Sequence, residues 1–216
     1  MATVICTVAV VAVFRFIPPA VTPLMVQRMV EAPFTGRRFT VKHHWVSLSQ
    51  IKADMGRAVV ASEDAKFLKH NGIDWNAVKT ARRANISRER RGKPPLGAST
   101  ITMQTSKNVF LLPWRSMIRK GAEVYFVYLT EALWGKERIL EVYLNMIEWG
   151  DGIYGVHQGA EHWFSVDAEN LTTTQASLLA AILPNPRRFS ASKPSPYIRR
   201  KASWVRGRMR GVSLPK

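Results

Sequence analysis

Apolar residues return at helical spacing in one segment after another, and most of these segments open on a side chain that can cap a helix. Ser47 and Gln50 have the spacing of a capping box, and Leu48, Ile51, Met55, Ala58 and Val59 follow on one face. Asp74 caps a helix starting at Trp75. Ser116 caps a long one reaching about Gly135, with Met117, Gly121, Val124, Tyr125, Tyr128 and Ala132 on its buried side. Leu140, Tyr143, Leu144 and Ile147 mark the next buried face. Thr172 and Gln175 repeat the capping box ahead of Leu178, Leu179, Ile182 and Leu183, and Ile198, Ala202, Val205 and Met209 line the last helix. The pattern predicts a mainly α protein. Its 216 residues can bury a sizeable core in one domain, with too little left for a second.

The N-terminal run from Met1 to Phe14 has no charged side chain, and Arg15 through Pro19 end it. It falls short of the ~20 apolar residues that cross a bilayer as a helix. It also lacks a small-residue cleavage pattern, and no Lys or Arg precedes it. Residues 1–17 read as the outer part of a truncated transmembrane anchor, with a buried N-terminal strand as the alternative. Residues 18–45 show no clear period and read as a juxtamembrane connector, which leaves 46–216 as the helical domain. Gly150, Asp151, Gly152 and Gly155 read as a flexible loop. Cys6 is the single cysteine, which excludes an internal disulfide and a cysteine-based zinc site. His157 and His162 stand five apart, off the helical zinc spacing, and no protein metal site is expected.

A formal net charge of +17 calls for a polyanionic partner: nucleic acid, an anionic lipid surface or a phosphorylated substrate. The stretch from Glu63 to Glu123 narrows the choice. Glu63 and Asp64 fall where a helix runs out, a placement that opposes the macrodipole and costs stability. A solvated acidic end is the plain explanation, and a functional one competes with it. His70 reads as a structural hydrogen-bonding residue, and Asn71–Gly72 as a turn. Lys79, Arg82, Arg83, Arg88, Arg90, Arg91 and Lys93 meet only Glu89, and Pro94, Pro95 and Gly97 then break the chain. Beyond the break, Thr100, Gln104, Lys107 and Asn108 form one polar stripe, with Ser99 near the start of the helix and Met103 and Phe110 toward the core. A stripe without acids beside a helix N-terminus suits a phosphate. Further on, Arg119 and Lys120 precede Glu123 by four and three residues. An ordinary intrahelical pair is worth about 0.3–0.5 kcal/mol, and cation-before-acid is the weaker order. A ligand-facing role gains weight from that. In the last helix Arg199, Arg200, Arg206, Arg208 and Arg210 point outward, a basic face suited to anionic headgroups.

Five ordered motifs resemble the glycosyltransferase domain of the bacterial peptidoglycan polymerases, and within it the monofunctional branch. E-D-x-x-F-x-x-H-x-G is complete from Glu63 to Gly72, and G-[GA]-S-T-x-[TS]-x-Q-x-x-K-N is met from Gly97 to Asn108. R-K-x-x-E falls at Arg119, Lys120 and Glu123. Arg138 to Asn145 match the fourth motif with Lys136 just upstream, and Ala180 to Pro186 resemble the fifth. The likeness spans residues 14 to 210. One departure is Met103, where the family usually has the first of two glutamines; Gln104 is kept.

The resemblance implies a lysozyme-like, two-lobed helical domain that polymerises lipid II into glycan strands. The 4-hydroxyl of the acceptor GlcNAc would attack the anomeric carbon of the growing chain's MurNAc, expelling undecaprenyl diphosphate with inversion. Glu63 would be the general base, and its position would matter more than its basicity, since a carboxylate is a weak base for an alcohol. Lys107 and Arg115 would hold the diphosphate, with Arg119 and Lys120 adding charge. Ser99 and Gln104 would contact the donor, and Glu123 would act near the leaving group or its metal. A divalent cation, Mg²⁺ by its preference for hard oxygens, would ride on the substrate. The implied setting is a bacterial inner membrane crossed once, with the catalytic domain on the periplasmic side. Membrane lipids and other cell-wall synthesis proteins would be the partners, not nucleic acid. Two S-x-x-K matches, at Ser190 and Ser213, lack the companion motifs of a penicillin-binding domain, so no transpeptidase is expected. Two other readings of the same residues are a lysozyme-type hydrolase and a nucleic-acid-binding module. Only expulsion of a diphosphate requires the Lys107 and Arg115 cations. The nucleic-acid module would bind in a steeply salt-dependent way and ignore Glu63→Gln.

Overall fold

The computed structural model describes residues 1–35, 41–112 and 117–215, and the side chains of Thr35, Met117 and Ile118 lie outside that description. It is mainly helical, as the apolar period predicts. Three helices make the centre: α3 (Ala53–Glu63) packs against both α8 (Thr173–Ile182) and α9 (Pro196–Met209). Small residues let them approach closely: Ala58, Ala176, Ala180 and Ala181 are fully buried, and Ala61 and Ala202 nearly so. The four residues expected on the inner face of α9 are all buried, and its arginines point outward. Thr172 and Gln175 form their capping box ahead of α8. Ser47 and Gln50 form theirs as well, but it opens a three-residue 3-10 turn, and α3 begins only at Ala53.

The longest helix, α6 (Met117–Met146), is broken at Gly135, where φ is +74°. That backbone region favours glycine, so the first arm ends where the sequence predicts. Its buried side, however, is a different one. Gly121, Tyr125, Tyr128 and Ala132 are exposed, while Glu123, Val127, Thr130 and Trp134 are buried. The cause is the polar matching of α6 to its neighbours α5 (Ile101–Phe110) and α1 (Ala2–Phe16). Ser106 Oγ donates to Thr130 Oγ1 at 3.2 Å, and Trp134 Nε1 donates to the Val11 carbonyl at 2.7 Å. The tyrosines keep their hydroxyls outward, Tyr125 on Thr7 Oγ1 at 2.8 Å and Tyr128 accepting from Trp75 Nε1 at 3.3 Å.

The N-terminal run is a helix rather than a strand. Val11 of α1 is buried, whereas Val4, Ile5, Val10, Val13 and Phe16 are exposed. Among the described residues no helix is long and apolar enough to cross a membrane. The stretch read as a connector contains α2 (Pro23–Glu31), opened by Thr22, whose Oγ1 accepts from Met25 N at 3.2 Å. Thr22 before Pro23 is a helix start legible in the sequence. The same stretch ends in β1 (Lys42–His43), which pairs in parallel with β3 (Ile153–Tyr154); β3 in turn pairs antiparallel with β2 (Glu148–Gly150). The glycine-rich segment expected as a flexible loop is therefore a hairpin, with Trp149 and Tyr154 fully buried beneath α7 (Val156–Phe164).

Asn145, at the end of the fourth motif, ties this layer to the core. Its Oδ1 accepts from Val46 N at 3.0 Å, and its Nδ2 donates at 2.9 Å to both the Val46 and Glu141 carbonyls. Glu141 receives Leu48 N at 3.2 Å and pairs with Arg138 at 2.6 Å, a supporting role. Asn145→Ala leaves a buried peptide unpaired and is expected to cost about 2–3 kcal/mol. Urea unfolding measures this, and an unchanged midpoint would contradict the clamp.

Candidate active site

The motif E-D ends α3, and its two acids have different tasks. Asp64 is buried. Its Oδ2 accepts from Ile101 N at 3.1 Å, at the start of α5, and both oxygens lie 3.0 Å from His70 Nε2. A carboxylate at a helix N-terminus satisfies an orphan donor and faces the positive end of the dipole. Thr100 completes the junction: its Oγ1 caps α5 by accepting from Met103 N at 3.1 Å and donates to the Gly72 carbonyl. Gly72 has φ of +85° and lies so close to Val127 that a side chain there would collide with it. Thr100 is thus a buried structural cap, not a member of an open polar stripe.

Glu63 is half-buried, with each oxygen held by one donor. Ser62 Oγ donates to Oε1 at 3.1 Å, and Gln104 Nε2 donates to Oε2 at 3.2 Å. Gln104 Oε1 in turn accepts from the Tyr143 hydroxyl at 3.3 Å. Burial raises the Tyr143 pKa well above its ordinary value, with Glu63 and Asp64 adding to the rise, so the hydroxyl stays a donor. Glu63 and exposed Ser99 line a cleft of about 500 Å³ together with Asp74, Asn76, Thr80 and Gly97. This cleft lies between the end of α3, α4 (Trp75–Glu89) and the segment entering α5. Lys201, on α9, comes within electrostatic reach of Glu63. Burial lowers its pKa and Glu63 opposes the drop.

One turn beyond Gln104 on α5, half-buried Lys107 enters a second cluster. Glu123 is buried and paired with Lys120 Nζ at 3.0 Å and Arg119 at 3.5 Å. Lys107 feels all three: burial is the main cause lowering its pKa, Glu123 raises it, and Arg119 and Lys120 lower it further. Three cations around one carboxylate leave an excess of two positive charges. Arg115 lies outside the described residues, as does the Ser116 cap. The structure thus gathers Glu63 with Ser99 and Gln104, and Lys107 with Glu123, Arg119 and Lys120, and joins the two groups through one face of α5. Sequence reasoning missed Tyr143 and Lys201. Tyr143 sat in the fourth motif but was counted only as core, and Lys201 was one basic residue among many on the last helix. Among the described residues no cluster of three or more His, Cys, Asp or Glu fits a metal ion, and both oxygens of Glu123 and of Asp64 already have partners.

Chemically, this is an acceptor for a proton at a cleft, with a holder for an anionic group one helical turn away. The helical fold and this pair of groups suit an enzyme acting on an anionic substrate. The chain belongs to the transglycosylase family, whose match covers residues 31–210. It is 48% identical over 204 residues to the biosynthetic peptidoglycan transglycosylase of Pseudomonas syringae pv. syringae, covering 94% of this chain and 85% of that one. The protein of that name from Bacteroides thetaiotaomicron is 49% identical over 199 residues, covering 92% and 79%. That from Pseudomonas aeruginosa is 44% identical over 203 residues, covering 94% and 86%.

Lys107 has a stability consequence of definite sign. Its folded pKa lies below the ordinary 10.5, so the buried charge is a full penalty below that folded value. Between the folded and unfolded pKa the unfolded chain binds more protons, and stability recovers as pH rises. Lys107→Met is therefore expected to be the more stable protein at pH 7, with the difference shrinking on the alkaline side. Denaturant melts from pH 7 to 10.5 test this; a variant less stable than wild type at pH 7 would overturn it.

Proposed function

We propose that this chain is a peptidoglycan glycosyltransferase that polymerises lipid II into glycan strands. The observation that carries the reading is the face of α5, which puts Gln104 on Glu63 and, one turn on, Lys107 among Glu123, Arg119 and Lys120. In the proposed reaction the acceptor 4-hydroxyl gives its proton to Glu63 as its oxygen bonds to the anomeric carbon. The bond from that carbon to the diphosphate breaks on the opposite side, its electron pair stays on the phosphate oxygen, and the anomeric centre inverts. Ser62 and Gln104 fix the Glu63 carboxylate in place, so the gain comes from orientation. Lys107, Arg119 and Lys120 would stabilise charge as it develops on the diphosphate, with Arg115 joining them. Ser99, in the cleft with Glu63, would contact the sugar donor. Glu123 keeps the cations together at that spot. A Mg²⁺ ion is proposed to ride on the diphosphate oxygens. The described residues form no cage for it.

The main core and the smaller apolar cluster of Ile73, Met103 and Val127 support reading the domain as two lobes with the cleft between them. The exposed apolar side of α1 supports a place at the membrane, with the catalytic cleft on the periplasmic side of an inner membrane.

Polymerisation of purified lipid II tests the reading. Glu63→Gln keeps the size of the side chain and is expected to lower the rate by about 10²–10⁴-fold without changing the melting temperature. Strand growth within twofold of wild type would remove Glu63 from the chemistry. EDTA is expected to slow polymerisation while leaving the thermal unfolding of the substrate-free protein unchanged, because the ion belongs to the substrate. A drop in that melting temperature on chelation would place the ion on the protein instead.

A further inference from the structure

The flank of α9 that begins beside Glu63 carries an alternation of aromatic and cationic side chains that the proposed reaction does not use. Tyr197, Lys201, Trp204 and Arg208 are spaced i, i+4, i+7 and i+11, one line along a helix. Tyr197 is 53% exposed and Trp204 47%. The Arg208 guanidinium lies 4.1 Å from the centroid of the Trp204 ring, which holds both in place. Tyr197 leans on Phe189, whose ring centroid is 5.9 Å away. The line has a direction. α9 runs antiparallel to α3, since Arg206 and Arg210 share a pocket with Asp54 and Arg57 near the start of α3, whereas Lys201 faces Glu63 at its end. From Lys201, beside Glu63, to Arg208 it extends roughly 10 Å away from the site, with Tyr197 one turn to the other side.

We propose that this stripe is a binding track for the peptide-bearing glycan strand, continuous with the cleft at Glu63. The apolar face of a sugar ring stacks on an exposed aromatic side chain, and the carboxylate that ends each strand peptide pairs with a guanidinium. The alternation of the two side-chain types matches a polymer that alternates rings with acidic branches. A lipid surface would be met by a broad aliphatic face, and the exposed aliphatic residues concentrate on α1 and α2, among them Val4, Ile5, Val13, Val26 and Val30, whereas this line of α9 sets each aromatic ring beside a cation. The inference rests on the polymerase reading for the identity of its ligand.

The test uses lipid-free, uncrosslinked glycan strands with intact peptides, titrated into the full chain, beside vesicles of phosphatidylglycerol. Trp204→Ala and Arg208→Glu are expected to weaken strand binding about tenfold each, with Trp204→Phe recovering most of the loss. Both side chains are exposed, and thermal melts check that the fold is intact. The initial rate on lipid II is expected to stay within twofold of wild type, with shorter products. Unchanged strand affinity in both variants overturns the track, as does a loss confined to the vesicles. The binding arm contains no lipid-linked substrate, so failure of polymerisation in wild type would count against the polymerase reading alone.

Discussion

A single buried carboxylate sets the position of everything that faces the cleft. Asp64 joins the end of α3 to the start of α5 by accepting the Ile101 amide, and His70 closes the remaining side. Without those donors the burial of an anion would be prohibitive, so the two helix ends and the loop between them must form together. Once they do, the neighbouring Glu63 has no freedom to choose its place. The residue that shapes the site and the residue proposed to react in it are adjacent in the chain, and the helix end points them apart.

From that junction α5 acts as the shared wall of the molecule. Its inner face packs Ile101 and Val109 into the main core and Met103 into the small cluster with Ile73 and Val127. Its outer face presents Gln104 to one group of side chains and Lys107 to another. Met103, the one departure from the second motif, makes apolar contacts here that a glutamine would make less well. The departure therefore strengthens packing while Gln104 keeps the polar connection to Glu63 and Tyr143.

Much of this was legible in the sequence, because caps and apolar period report local choices that the chain makes for itself. The helix ends at Glu63 and Gly135, the cap at Asp74, the structural role of His70, and the whole inner face of α9 followed from such signals. Part of what failed depended on partners far away in the chain. The first arm of α6 turns Glu123 and Thr130 inward because Ser106 and Trp134 find their hydrogen bonds there, and no local period records that. The hairpin at Trp149 was hidden by its glycines, and α2 was passed over although Thr22 and Pro23 marked its start. At the site, the motif spacing pointed to the acids and cations on α3, α5 and α6. It gave no sign that Tyr143 would hold Gln104, or that Lys201 would arrive from the far end of the chain.

In the proposed reaction, the two donors on Glu63 bear on which hydroxyl of a sugar can react. Gln104 cannot turn its amide over, since its oxygen is engaged by Tyr143, and Ser62 occupies the other carboxylate oxygen. What is left for an incoming proton is a restricted arc of lone-pair directions. An alcohol arriving at the right distance but from outside that arc finds no acceptor. Regiochemistry would then be decided by the angle of approach, before any difference in reactivity among the hydroxyls is felt.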